Sequence, residues 1–88
     1  MRRVHVVVHG EVQGVFFRDS CRHEAQARGV TGWVRNTAAG TVEAELEGEA
    51  GAVDAMIGWC GQGPRHARVQ RVDVRETDPT GGNGFEIR

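Results

Sequence analysis

The stretch "GEVQGVFFR", residues 10–18, decides how this chain folds. It follows a valine-rich segment typical of a β-strand and precedes a segment typical of an α-helix. Gly10 and Gly14 permit backbone conformations that are closed to other residues. Arg18 falls in the first turn of the predicted helix, where the helix dipole already carries a partial positive charge. Because this arginine opposes the local electrostatics, the stretch marks a candidate functional site.

Strand and helix patterns alternate on both sides of this stretch. The predicted elements are a strand at 3–9, a helix at 18–28, strands at 30–36 and 41–48, a helix at 50–60, a strand at 67–76 and a short strand at 85–88. The apolar phase of the sixth element slips between Val69 and Val72, which predicts a β-bulge. The order βαββαβ predicts a ferredoxin-like α+β sandwich, with two helices on one face of an antiparallel sheet and a short extra C-terminal strand.

Hydrophobic periodicity predicts which faces of these elements are buried. Alternate residues of the first strand and an i, i+3, i+4, i+7 stripe on the second helix indicate a single core. On the fourth element, apolar residues alternate with Glu43, Glu45 and Glu47, which predicts a solvated face opposite the core. The predicted core residues are Val4, Val6, Val8, Phe17, Cys21, Ala25, Val42, Ala44, Leu46, Val53, Met56, Ile57 and Cys60.

Length and charge exclude several classes of protein. The 88 residues suffice for one small domain, residues 1–88. The formal net charge of -1 gives no electrostatic case for a nucleic-acid or membrane partner. No apolar run is long enough to span a membrane. The first ten residues carry the positive charge of a signal peptide, but their apolar run is too short and no small-residue cleavage site follows. A cytoplasmic location is therefore expected.

The two cysteines are Cys21 and Cys60, too far apart in sequence for a CxxC metal or redox motif. Two reduced, partly buried thiols are the expected state. A disulfide is the alternative, because the end of the second helix and the start of the first are expected at the same edge of the domain. That bond requires Cα atoms within roughly 7 Å of each other.

The predicted topology also places the residues of a candidate site. With right-handed crossovers, the first two strands run in the same direction. The loop at 10–18, the start of the first helix and Asn36 then share one edge of the sheet. Inward N–H groups of the loop, the helix dipole and the planar fork of Arg18 could together bind a phosphate. A tight turn with a solvent-facing arginine is the alternative, since the standard nucleotide-binding motifs are absent.

The sequence "GEVQGVFFR" resembles the signature of the acylphosphatase family, in which a G-x-V-Q-G-V segment leads to an essential arginine. The stretch "GWVRNTAAGTVEAELEG", residues 32–48, is similar to the second signature of that family, and the terminal "FEIR" fits as well. This resemblance implies a metal-independent, cofactor-free and monomeric enzyme. The reaction would hydrolyse small-molecule acyl phosphates to a carboxylate and inorganic phosphate.

The resemblance also implies the roles of individual residues. Arg18 would bind the phosphate and Asn36 would hold the attacking water. The loop between the first strand and the first helix would bind the substrate. Its residues are Val12, Gln13, Gly14, Val15, Phe16 and Phe17.

Elementary chemistry agrees with such a site. A carboxylate leaving group has a conjugate acid with a pKa of about 4–5, so its departure needs no general acid. The phosphoryl-transfer transition state is loose, so catalysis consists mostly of positioning and charge stabilisation. An arginine, a set of N–H groups and an asparagine that orients water would therefore suffice without a metal.

Other functions are less well supported by the residues. A non-catalytic module that binds a phosphate-bearing ligand, or a domain recruited to carbamoyl-phosphate handling, remains the alternative. An RNA-binding role is disfavoured by the glutamates of the open sheet face and the absence of tyrosine. The histidines His5 and His9 are expected on that open face and His23 on the surface, and none is expected to be catalytic.

Overall fold

A computed structural model describes all residues from 1 to 88. Its elements are β1 (Arg2–Glu11), α1 (Phe17–Ala27), β2 (Thr31–Asn36), β3 (Val42–Gly48), α2 (Ala50–Gln62), β4 (Arg68–Thr77) and β5 (Phe85–Ile87). Every predicted element is present, with its ends shifted by no more than two residues. Neither helix has the length and apolar character needed to cross a membrane.

The five strands form one sheet in the order β4-β1-β3-β2-β5. The predicted ferredoxin-like arrangement is confirmed, and β1 to β4 pair with one another only in antiparallel fashion. The short extra C-terminal strand β5, whose direction the sequence does not predict, pairs in parallel with β2. The reason is the connection at 78–84, which leaves β4 at one edge of the sheet and crosses to the other. Because β5 starts at the end of the sheet where β4 finishes, it must run in the direction of β2.

The predicted β-bulge lies on β4 where that strand pairs with the end of β1. His9 pairs with Arg71 and Gly10 pairs with Val69, so Gln70 is the extra residue. Gly10 has a φ of +131°, and a Cβ added there would lie 2.1 Å from the carbonyl oxygen of Arg68. Only glycine fits this close approach of two backbones. With this bulge, β1 continues to pair with β4 as far as Glu11, two residues beyond its predicted end, and the loop follows directly.

Both helices pack on the same face of the sheet. Helix α1 lies over β2 and β5, and α2 lies over β4 and β1. All predicted core residues are buried except Ile57, which is partly buried and packs against the core. The remaining buried apolar residues are Val12, Val30, Val34 and Phe85. Val12 extends the core to the edge of the loop that follows β1.

The two cysteines lie side by side between the helices. Cys21 and Cys60 are both free and fully buried. A hydrogen bond to Cys60, together with burial, raises the pKa of the Cys21 thiol well above its ordinary value. Cys21 is therefore a neutral thiol at physiological pH rather than a nucleophilic thiolate.

The open face of the sheet is an ion-pair network and not a solvated row of glutamates, so this prediction is wrong. The side chain of Glu47 is only 4% exposed. It accepts hydrogen bonds from the backbone N–H groups of Thr80 and Gly81 at 2.7 and 2.9 Å, and from Arg3 at 3.1 Å. The β4–β5 connection covers this end of the face. At the other end of the face, His5 contacts two glutamate carboxylates at 2.9 Å each.

Substitution of Glu47 with glutamine is expected to destabilise the protein at neutral pH more than at acidic pH. The N–H groups of Thr80 and Gly81, with the guanidinium of Arg3, hold the pKa of Glu47 below its usual value of 4.5. A lowered folded-state pKa gives stability that is present above the unfolded-state pKa and is lost as the pH falls through the folded-state pKa. The difference in Tm between the wild type and Glu47→Gln should therefore shrink as the pH falls from neutral through 4.5 and below.

A matched control for this measurement is Glu11→Gln, because the side chain of Glu11 is 76% exposed. Its Tm should follow that of the wild type throughout. A Tm difference for Glu47→Gln that stays constant over the whole pH range would contradict the assigned role of the buried carboxylate.

Candidate active site

A cavity of about 380 Å³ lies where the carboxyl ends of β1 and β2 meet the start of α1. Its lining residues are Val12, Gly14, Phe16, Phe17, Arg18, Asp19, Asn36 and Ile87. The structure thus brings Arg18 and Asn36 to one cavity although they belong to different elements. This is the juxtaposition that the topology predicts, because two parallel-running strands end at the same edge.

The loop between β1 and α1 presents unpaired backbone N–H groups. None of the loop residues 12–16 donates a backbone hydrogen bond within the protein. The first turn of α1 adds further N–H groups without intrahelical partners. Gly14 and Phe16 have φ values of +74° and +62°, and Phe16 is the one non-glycine residue with a positive φ. Backbone conformations of this kind can turn neighbouring N–H groups toward one point, which is the geometry of an anion-binding nest.

Arg18 is exposed and forms no ion pair, although most arginines of the chain have a carboxylate partner. Asp19, its neighbour in sequence, lies 3.8 Å from Arg22 instead. The guanidinium of Arg18 therefore keeps its donors available at the N-terminal end of α1. A guanidinium can donate two parallel hydrogen bonds to an oxyanion.

Asn36 is the last residue of β2 and is half-buried in the cavity wall. Its side-chain amide takes part in none of the hydrogen bonds of the structure, including those of the adjacent turn. The amide therefore keeps one acceptor oxygen and two N–H donors for a molecule in the cavity. One acceptor and two donors on a single side chain are sufficient to hold and orient a water molecule.

The predicted substrate-binding residues divide into two groups. Val12, Gly14, Phe16 and Phe17 line the cavity, with Phe16 exposed at its rim and Val12 and Phe17 buried beneath it. The side chains of Gln13 and Val15 lie outside this lining. Val15 packs against the core, and the amide of Gln13 hydrogen-bonds to the hairpin that follows Asn36.

Two lining residues are missing from the sequence-based prediction. Because Asp19 directly follows Arg18 in the first turn of the helix, its position at the cavity is predictable from the sequence. Ile87 is paired with Val34 in the parallel β2–β5 ladder, which places it at the cavity edge. No local signal in the sequence reveals Ile87, because its position depends on the direction of β5.

No histidine or cysteine lines the cavity. His5 and His9 contact carboxylates on the open face of the sheet, as expected, and His23 is exposed. The cavity thus combines positive donors, one neutral amide and the carboxylate of Asp19. These features define a ferredoxin-like α+β protein with a cavity beside its β1–α1 loop that is lined by Arg18, Asn36 and loop residues.

Comparison with known proteins identifies the family within this class. The acylphosphatase family model matches residues 4–87, and the chain belongs to the acylphosphatase family. An acylphosphatase of Rubrobacter xylanophilus is 59% identical over 88 residues, which cover 99% of this chain and 80% of the relative. The crystal structure of an acylphosphatase from Bacillus subtilis superposes with a TM-score of 0.97 at 32% identity, over 100% of this chain and 99% of that chain.

The same fold also occurs within a longer protein. Full-length HypF in its phosphate- and nucleotide-bound form matches with a TM-score of 0.91 at 28% identity. The match covers 99% of this chain but only 12% of that chain. The family resemblance predicted from the two signatures is confirmed, and so is the activity that it implies, hydrolysis of acyl phosphates.

Proposed function

We propose that the cavity at the β1–α1 loop is the acylphosphatase active site, in which Arg18 and the loop bind the phosphoryl group while Asn36 positions the attacking water. One observation carries this division of roles. Loop residues with unpaired N–H groups, Arg18 with its unpaired guanidinium and Asn36 with its unpaired amide all line one cavity. A site that only binds phosphate would have no use for the amide.

A bound phosphoryl group would place negative charge where the loop N–H groups, the helix dipole and Arg18 concentrate positive charge. A phosphate between the N–H groups and Arg18 would be attracted by both, and the repulsion between the arginine and the helix dipole would be offset. The same donors stabilise the charge that develops on the phosphoryl oxygens in the transition state. This explains why an arginine occupies an otherwise unfavourable position.

The reaction is a displacement at phosphorus by water. The oxygen of a water held by Asn36 forms a bond to phosphorus while the bond from phosphorus to the acyl oxygen breaks. The carboxylate leaves with the electron pair, one proton of the water passes to a phosphoryl oxygen, and the other stays on the oxygen that has bonded to phosphorus. Since the carboxylate is a weak base with a conjugate-acid pKa of about 4–5, no general acid is required. Positioning and charge stabilisation then account for the rate.

The rim of the cavity is suited to the acyl group. Phe16 is 77% exposed and lines the cavity together with the half-buried Ile87. Apolar surface at this place favours a hydrocarbon or aryl group on the substrate. The left-handed backbone of Phe16 is a strained conformation for an aromatic residue, as is often found at functional sites.

We also propose that residues 1–88 form one catalytic domain. The protein would act on small molecules as a monomer in the cytoplasm. The family match over residues 4–87 and the single core support one catalytic domain. The free, buried cysteines suit a reducing compartment. On the open sheet face Arg3 and Arg35 are paired with glutamates, so these guanidinium groups are not free to bind the phosphates of a nucleic acid.

The test compares an aryl acyl phosphate, such as benzoyl phosphate, with an aryl phosphate monoester of similar size. Both are assayed with a chelator present, with release of inorganic phosphate as the measurement. We expect rapid hydrolysis of the acyl phosphate alone, because the monoester has a poorer leaving group, whose departure would require a general acid. Comparable rates on both substrates would contradict the proposed mechanism.

A further inference from the structure

The side chain of Gln13 joins the phosphate loop to the β2–β3 hairpin. Its amide nitrogen lies 2.8 Å from the carbonyl oxygen of Thr37 and 2.9 Å from that of Thr41. Thr37 and Thr41 close the hairpin turn, since the N–H of Thr37 donates to the carbonyl of Thr41 at 3.0 Å. Their hydroxyl oxygens are also 2.6 Å apart. The amide of Gln13 therefore donates hydrogen bonds to both ends of the turn that begins directly after Asn36.

This contact is the one hydrogen-bonded link from the loop to that hairpin. The other loop residues, 12 and 14–16, make no hydrogen bond to it through backbone or side chain. Both N–H groups of the Gln13 amide are used on these carbonyls, so the side chain has no donor left for a substrate. Because both of its donors bond to backbone acceptors, the side chain of this exposed glutamine fixes the position of the hairpin backbone relative to the loop.

We propose that Gln13 is a positioning residue, which holds Asn36 at a fixed separation from the phosphate loop by way of Thr37 and Thr41. This inference rests on the proposed function, because it assumes that Asn36 orients the attacking water. The loop determines where phosphorus lies, and β2 determines where the water lies. The hydrogen bonds of Gln13 join these two segments, so they determine the distance and direction from which the water attacks phosphorus.

The expected consequence is a selective loss of turnover. A misplacement of about 1 Å in a reacting group can lower a rate by about 10²-fold. Phosphate affinity should change little, because Arg18 and the loop N–H groups stay in place. Loss of the Gln13 contacts should therefore appear in kcat and not in the inhibition constant of inorganic phosphate.

The test begins with Gln13→Met, which keeps the length of the side chain and removes both donors. We expect kcat for benzoyl phosphate to fall by about 10- to 100-fold, with the inhibition constant of phosphate within about twofold of the wild-type value. Gln26→Met is the matched control, since Gln26 lies on the exposed face of α1 away from the cavity. Its kcat should equal that of the wild type.

A double-mutant cycle separates positioning from a general structural effect. In the Asn36→Ala background there is no amide to position, so Gln13→Met should lower kcat by less than about twofold further. Full additivity of the two losses would overturn the proposal, and so would a loss that appears mainly in phosphate affinity. If Gln13→Met does not fold, Gln13→Asn repeats the cycle, because its shorter amide cannot reach both carbonyls.

The outcomes for this inference and for the proposed function are distinct. If the wild type fails to hydrolyse benzoyl phosphate, the proposed function fails. If the wild type is active and Asn36→Ala is impaired while Gln13→Met turns over normally, the inference about Gln13 alone is wrong.

Discussion

Replacement of Arg18 with lysine is expected to lower kcat/KM for an acyl phosphate by about 10³-fold or more. Lysine keeps the positive charge but presents a compact ammonium group, which cannot donate two parallel hydrogen bonds to phosphoryl oxygens. The bidentate contact is needed most in the transition state, where charge accumulates on those oxygens. The loss should therefore appear in kcat as well as in KM.

The measurement is steady-state hydrolysis of benzoyl phosphate by Arg18→Lys. Arg22→Lys is the matched control, since Arg22 lies one turn further along α1, lines no part of the cavity and contacts Asp19 at 3.8 Å. Its kcat/KM should remain within about threefold of the wild type, as for an exposed ion pair. An Arg18→Lys variant with more than a tenth of wild-type activity would show that a point charge suffices.

Substitution of Asn36 with alanine is expected to lower kcat by about 10²-fold or more while inorganic phosphate still binds. The amide of Asn36 is free in the structure and lines the cavity, but it carries no charge with which to attract phosphate. Its removal leaves the donors of the loop and of Arg18 unchanged. The variant should therefore retain binding and lose the oriented water.

The measurement is kcat together with the inhibition constant of inorganic phosphate. Asn83→Ala is the control, because Asn83 lies in the connection between β4 and β5, away from the cavity. Its kcat should match that of the wild type. Turnover near the wild-type level in Asn36→Ala would remove the asparagine from the mechanism.

The fold and most of the cavity could be predicted from the sequence because they depend on local patterns. Valines at every second position define the buried face of β1, and Gly10 and Gly14 mark a loop that other residues could not form. With the crossover rule, these patterns place Arg18 and Asn36 at one edge. The cavity lined by both residues has that arrangement.

The errors concern features that depend on distant parts of the chain. Alternation along β3 indicates which face Glu47 occupies, but it does not indicate what covers that face. The cover comes from Thr80 and Gly81, which are more than thirty residues away. The parallel pairing of β5 and the place of Ile87 at the cavity follow from the same connection. Local periodicity carries no information about the path of such a segment.

The partner of Gln13 was also beyond prediction from sequence. A glutamine within a glycine-rich loop suggests a ligand contact, whereas its amide contacts two carbonyl groups of the hairpin after β2. That contact exists only when β1 and β2 are brought together by tertiary packing. The structure therefore separates the side chain of Gln13, which contacts the hairpin, from the side chains that line the cavity.

The most direct test of the central claim is hydrolysis of benzoyl phosphate by the wild-type protein in water enriched in oxygen-18. The label in both products is measured by mass spectrometry. A water oriented by Asn36 toward phosphorus, with the phosphoryl group bound by Arg18 and the loop, predicts that the heavy oxygen enters inorganic phosphate and is absent from benzoate. Heavy oxygen in benzoate would show that water attacks the acyl carbon, and would contradict the proposed active site.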